Sequence, residues 1–284
     1  MKRLIVLIGV VGISAAAVLV RWSTAPSMVL VLYRMIIAVL LLLPAVLLKG
    51  REELKGMTKK EWLLTVLAGC CLGLHFSAFF ESLRHTSIAA AVILSDAEVL
   101  FVALGSILVF RKKLSGRCWL AVALSLVGAV MVALADGGGE SGLLGNALAL
   151  TSTFLLALYT MIGASVRSRI SNTTYTFVAY GCAALTVLVL SLASGTPLTG
   201  YGANNWLTAL GMAVLCTLLG HSVFTWGLKY LPPAYISTVK LLDPVFSALW
   251  GLLLFAEKPT LPVILGGVIV IVGVFLYGRA AEEE

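Results

Sequence analysis

The apolar run from Ala234 to Phe255 is long enough to cross a bilayer, yet its middle reads Ser237-Thr238-Val239-Lys240-Leu241-Leu242-Asp243-Pro244. Each ionisable group at a bilayer centre costs about 2.5–3.5 kcal/mol. Lys240 and Asp243 are three apart, so a continuous helix puts them on one face, where each offsets the other's charge. Pro244 has no N–H, so the carbonyl of Lys240 loses its helical partner. Such a polar break is tolerated at mid-membrane depth only where it faces protein or a wet cavity. The stretch therefore reads as one half of a substrate or ion site. The other half is expected at Ser95-Asp96-Ala97-Glu98.

The rest of the chain agrees with a membrane setting. Its 284 residues are 60% hydrophobic and 12% charged, with mean hydropathy +1.05. A soluble domain carries about 25% charged residues. The class is therefore an all-α polytopic membrane protein, with the lipid bilayer as its solvent. The net charge of +7 does not point to nucleic acid, because the basic residues sit in short loops between apolar spans. The five cysteines, Cys70, Cys71, Cys118, Cys182 and Cys216, lie in or beside those spans without metal-ligand spacing, as small buried hydrophobes do. Lys2-Arg3 followed by Leu4 to Val20 has the outline of a signal peptide. The run is long for one, and a second span follows at once, so it reads as a retained first helix.

A spanning helix needs about 20 apolar residues. Runs of this kind fall at roughly 4–20, 26–48, 62–83, 88–109, 118–135, 143–164, 175–192, 206–228, 234–255 and 261–277, which predicts ten helices. With the N-terminus inside, the inside segments hold fifteen Lys and Arg, and the outside loops hold three, Arg21, Arg84 and Lys258. Arg34 and Lys240 lie within spans. This asymmetry places both termini in the cytoplasm. The segment 137–140 is the natural linker, dividing the chain into 1–136 and 141–284, five helices each. Five is odd, so duplicated halves must be inserted upside down relative to each other.

Sliding residues 83–131 onto 228–276, an offset of 145, aligns Ala89 with Ala234, Phe101 with Phe246, Phe110 with Phe255 and Gly128 with Gly273. It also sets Glu98 on Asp243 and Arg84 on Lys229, and brings His75 within one residue of His221. Inverted repeats with polar, interrupted helices in matching positions describe secondary transporters, whose site lies at the repeat interface near the midplane.

The chain resembles the EamA branch of the drug/metabolite transporter superfamily. The residues that carry the likeness are His75-Phe76 and Ser82-Leu83-Arg84-His85-Thr86-Ser87, then Gly220-His221-Ser222, Trp226-Gly227-Leu228-Lys229-Tyr230, Leu242-Asp243-Pro244-Val245 and Phe255-Ala256-Glu257. The resemblance implies a multi-pass carrier of small metabolites in the inner, cytoplasmic membrane, often an exporter of amino acids. Similar sequences often have Glu-Pro where this chain has Asp243-Pro244, and proline where it has Ala97, Glu98 or Val99. The usual glutamate closing the fourth helix is replaced by Arg111-Lys112-Lys113.

The candidate site residues are Arg34, His75, Asp96, Glu98, His221, Trp226, Lys240 and Asp243. Arg34 reads either as an anchor for a substrate carboxylate or as a fixed partner for Asp96 or Glu98. Those two acids point to different helix faces, and the repeat match favours Glu98 as the inward one. A buried carboxylate without a full partner suits proton loading and release; locked to Arg34 or Lys240, it would stay charged. His75 and His221 read as packing residues or as a proton relay. Trp226 and Trp250 could cap a substrate by stacking or cation–π contact, and Tyr33 and Tyr180 could line the cavity. Glu81 and Glu257 read as a gate or as solvated helix ends.

Hydrolase, zinc-protease and dinucleotide motifs are missing, and no extramembrane domain is present to bind ATP. No cofactor is expected. The function expected is secondary transport of a small zwitterionic or cationic metabolite, with protons as the candidate coupling ion. The competing reading is a non-transporting intramembrane enzyme or receptor-like scaffold. A channel is disfavoured, because the cavity groups carry opposed charges.

Overall fold

The computed structural model describes residues 2–82, 84–86, 91, 94, 95, 97–111, 114–135, 142–256, 258 and 260–280. Asp96, Glu257 and the linker 137–140 lie outside the described residues. The helices are α1 (Lys2–Arg21), α2 (Ser27–Gly56), α3 (Lys59–Ser82), α4 (Glu98–Phe110), α5 (Gly116–Ala135) and α6 (Leu143–Val166). They continue with α7 (Asn172–Ala193), α8 (Ala203–Gly227), α9 (Pro233–Lys240), α10 (Asp243–Phe255) and α11 (Leu261–Ala280). Among the described residues there is no strand.

Among the described residues, seven helical stretches are long and apolar enough to cross a membrane: α2, α3, α6, α7, α8, α11 and the near-continuous Pro233–Leu254. Glu98–Val109 and Gly116–Met131 are shorter apolar helices. This is an all-helical, multi-pass membrane protein.

The stretch read as one span from Ala234 to Phe255 is two helices. α9 ends at Lys240. Leu241 and Leu242 turn, their N–H groups donating to the carbonyls of Thr238 and Val239 at 3.1 Å each, and α10 starts at Asp243. Pro244 sits in the first turn of α10, where its missing N–H has no helical role to fill. The break opens two helix ends inside the bundle.

The first half contains a helix with matching bounds. α4 starts at Glu98 and ends at Phe110, each 145 positions before the bounds of α10. Both helices stop on a left-handed residue, Arg111 (φ 52°) and Ala256 (φ 55°), whose N–H groups return to the carbonyls of Ser106 and Gly251. α5 and α11 bear the same 145-residue relation.

These two helices pack on each other at close range. A Cβ on Gly128 would stand 2.6 Å from the carbonyl oxygen of Gly266, so the backbones meet where a side chain cannot fit. Elsewhere α3 packs on α6 and α7, α8 on α1 and α2, α2 on α7, α4 on α6 and α9, and α1 on α10.

Polar clasps tie the rims. Asn205, fully buried at the start of α8, accepts at Oδ1 from the Ser23 hydroxyl (2.9 Å) and from the N–H groups of Thr24 (2.8 Å) and Ala25 (3.0 Å). Its amide thereby holds the α1–α2 loop. At the far end of α2, Glu53 accepts from the N–H of Ser171 at 2.6 Å and fixes the entry to α7.

Candidate functional site

The broken helices place charge where their dipoles favour it. Glu98 opens α4 and Asp243 opens α10, so each carboxylate stands at a positive helix end; Lys240 closes α9, at a negative one. Lys240 Nζ donates to both carboxylate oxygens of Glu98, at 3.0 Å each, and Thr160 Oγ1 of α6 adds a third bond to Oε1 at 2.8 Å. The glutamate side chain is 4% exposed and the lysine 13%. The ammonium also stands 5.4 Å from the ring centre of Phe224 on α8. This is a cross-half ion pair with every strong acceptor used.

Lys240 and Asp243 do not pair as their spacing predicted. The chain turns between them, so they do not share a helix face, and the lysine reaches an acid 142 residues earlier. Asp243 is left with a 3.3 Å bond from the Ser247 hydroxyl and no cation within ion-pair distance among the described residues.

Arg34 is 3% exposed in α2. Its Nε donates to Thr217 Oγ1 at 2.6 Å, its guanidinium lies over the Phe76 ring at 4.6 Å, and its Nη2 has no hydrogen-bond partner among the described residues. It does not pair with Glu98, whose oxygens Lys240 and Thr160 occupy. The surroundings are polar and aromatic. His75 Nδ1 is 3.0 Å from the carbonyl oxygen of Ser152 and 2.9 Å from its hydroxyl. A carbonyl only accepts, so Nδ1 carries a proton. His221 meets the edge of Phe76, and both histidines lie within electrostatic reach of Arg34 and Lys240. Cys216 lies within such reach of Arg34 and Asp243.

Arg34, His75, Glu98, His221, Lys240 and Asp243 are thus gathered at the core from both halves. Trp226 is not. It lines a groove with Ile5 and Val223 and packs on Tyr230 at 4.9 Å; the next turn of α8 carries it off the cluster's face. Asp96 lies outside the described residues. Trp250 donates to Ser14 Oγ at 3.0 Å and serves α1–α10 packing. Tyr33 stacks on Trp206 at 3.8 Å and donates to the Leu198 carbonyl, whereas Tyr180 stays central, 2.9 Å from Ser222 Oγ. Glu81 is exposed beside Arg84 and His85, as at a solvated helix end.

The EamA-like transporter family model matches twice, over residues 2–134 and 143–279. The chain belongs to the EamA-like transporter family. An uncharacterized transporter of Archaeoglobus fulgidus is 28% identical over 257 residues, 87% of this chain and 86% of that one. The uncharacterized transporter YxxF of Bacillus subtilis is 25% identical over 264 residues, covering 89% and 82%. A solved crystal structure shares the fold with a TM-score of 0.83 at 17% identity, covering 99% of this chain and 98% of that one.

Sequence reasoning about this EamA-like transporter missed Thr160, Thr217 and Ser152, the hydroxyl partners of Glu98, Arg34 and His75. Threonine and serine are common in spanning helices, where they bond their own backbone, as Thr65 does to the Glu61 carbonyl. Nothing in their spacing marks them. One signal lay in the backbone instead. The π-helical stretch Met212–His221 in α8 carries both Thr217 and His221, and such wide turns concentrate at functional sites.

Proposed function

We propose that this membrane transporter is a secondary carrier that exports a small zwitterionic or cationic metabolite, amino-acid-like in charge, by alternating access. The halves 1–136 and 141–284 act as two inverted five-helix repeats in a ten-helix bundle. The packing pattern supports this. Exchanging the halves turns α3–α6 into α8–α1, α3–α7 into α8–α2 and α6–α4 into α1–α10, while α2–α7 and α5–α11 map onto themselves. The family match falling once in each half supports it further. Export and the inner-membrane address rest on the family resemblance, and cytoplasmic termini rest on the basic-residue asymmetry.

The observation that carries the reading is the Glu98–Lys240 joint, made between the start of α4 and the end of α9 at the core. It fixes the centre about which the repeats rock. Beside it, among the described residues, Arg34 offers an unpartnered donor for a carboxylate, and Asp243 an acid without a cation. A zwitterion complements both. Asp243, with one hydroxyl partner, replaces the neutralised Glu98 as the group that exchanges a proton.

The test starts from a thermal-shift screen of amino acids, polyamines and nucleosides on purified protein, since a specific substrate stabilises the state it binds. Flux of a hit into proteoliposomes is then followed with proton movement. Wild type should couple the two, and Asp243→Asn should retain folding while flattening the pH dependence. Substrate flux without proton movement in the wild type would leave a facilitator and contradict the coupling.

A further inference from the structure

At the bundle end that carries Lys2, the α8–α9 turn encloses an open cavity of about 400 Å³, lined by Ala164 of α6 and the segment Leu228–Pro233. Tyr230 is its aromatic wall, 41% exposed. Lys2 Nζ of α1 stands 4.3 Å from the centre of that ring, and Lys229 Nζ stands 6.0 Å from it. Both lysines are exposed, and neither has a carboxylate within ion-pair distance among the described residues. Two exposed cations over one tyrosine, unpaired with any carboxylate among the described residues, mark a place for an anion.

A second cavity of about 300 Å³ adjoins it, a groove lined by Ile5, Leu218, Val223 and Trp226 together with Asn172 and Ser222. The polar groups there are already engaged. Asn172 Nδ2 donates to the Ser222 carbonyl at 2.8 Å, its Oδ1 accepts from Thr225, and Ser222 Oγ bonds Tyr180. What the groove offers a ligand is apolar. Trp226 and Tyr230, rings 4.9 Å apart, form the wall between groove and cavity. Lys2 and Ile5 are three apart on α1, and the Tyr230 ring in the α8–α9 turn packs on Trp226, so cation, tyrosine, tryptophan and apolar strip follow one another along the α1–α8 surface.

We infer that this surface is a binding site for an anionic glycerophospholipid, its phosphate against Lys2 and Lys229 and one acyl chain in the Ile5–Trp226 groove. Charge complementarity selects the head, since a basic residue at an anionic membrane surface attracts such lipids. The continuous apolar groove selects a lipid over a free phosphate. An aromatic pair at the junction matches the interfacial preference of tryptophan and tyrosine. The site stands apart from Glu98, Lys240 and Arg34 and does not depend on the transport reading. On the topology proposed above it faces the cytoplasmic leaflet.

The experiment uses the full chain in detergent, titrated with phosphatidylglycerol or phosphatidylcholine carrying brominated acyl chains, which quench nearby tryptophan. The quenching assigned to Trp226 is the part lost in Trp226→Phe. Phosphatidylglycerol should quench that part at lower concentration than phosphatidylcholine, with a preference of about fivefold per lysine. The preference should vanish in Lys2→Gln/Lys229→Gln and return in Lys2→Arg/Lys229→Arg, which also guards against a folding defect. Equal quenching by the two lipids, or a preference that survives the glutamine pair, would overturn the site. Displacement by glycerol phosphate as strong as by the lipid would show an anion pocket without lipid selectivity and would also overturn it.

Discussion

Glu98 and Lys240 depend on each other. Together they neutralise each other in a site with little access to solvent. Breaking a buried pair from one side leaves an unpaired charge and costs about 3–5 kcal/mol, whereas removing both charges is often neutral. Lys240→Met should therefore lower unfolding stability by that amount, and Glu98→Gln/Lys240→Met should recover most of it. Equal losses in the single and double variants, measured by denaturant or thermal unfolding, would mean that the two do not act as a pair. The sequence made both residues visible, because charge inside an apolar run is conspicuous. It did not reveal their partnership. Lys240 has Asp243 three positions away and Glu98 142 positions away, and only the turn at Leu241 and Leu242 decides between them. Trp226 misled for the related reason that one turn of helix separates a core-facing position from a groove-facing one.

The half-helices α4 and α10 share their start, their end and their left-handed cap at a constant 145-residue separation. The alignment of Glu98 with Asp243 and Phe110 with Phe255 made this relation legible in the sequence. The caps themselves were not legible, because Arg111 and Ala256 are not the glycines that such positions favour. A left-handed conformation costs a non-glycine residue roughly 1–2 kcal/mol. Ala256→Gly should therefore raise thermal stability, by about 0.5–1 kcal/mol once the greater freedom of glycine in the unfolded chain is set against it. A lower melting temperature for Ala256→Gly would show that the methyl group makes a packing contact worth more than the strain. The π-helical stretch of α8 was equally hidden, since its residues Met212–His221 carry the same apolar pattern that an ordinary helix would.

Over the whole molecule, apolar composition and run length made the all-helical, multi-pass class legible. They could not give the way the halves interlock, because that depends on contacts such as Gly128 against Gly266 between distant segments. The proposed topology has its own check. A reporter that fluoresces only in the cytoplasm should be bright when fused at either terminus, and a dark C-terminal fusion with an active periplasmic reporter would reverse it. The central claim is that substrate crosses through the core site shared by the two halves. Its most direct measurement is counterflow of a labelled thermal-shift hit in proteoliposomes, for wild type and for Arg34→Met. Wild type should concentrate the label transiently, while Arg34→Met, shown to be folded, should give at most a tenth of that signal, a difference of about 1.4 kcal/mol or more in substrate interaction. Undiminished counterflow by the folded Arg34→Met protein would contradict it.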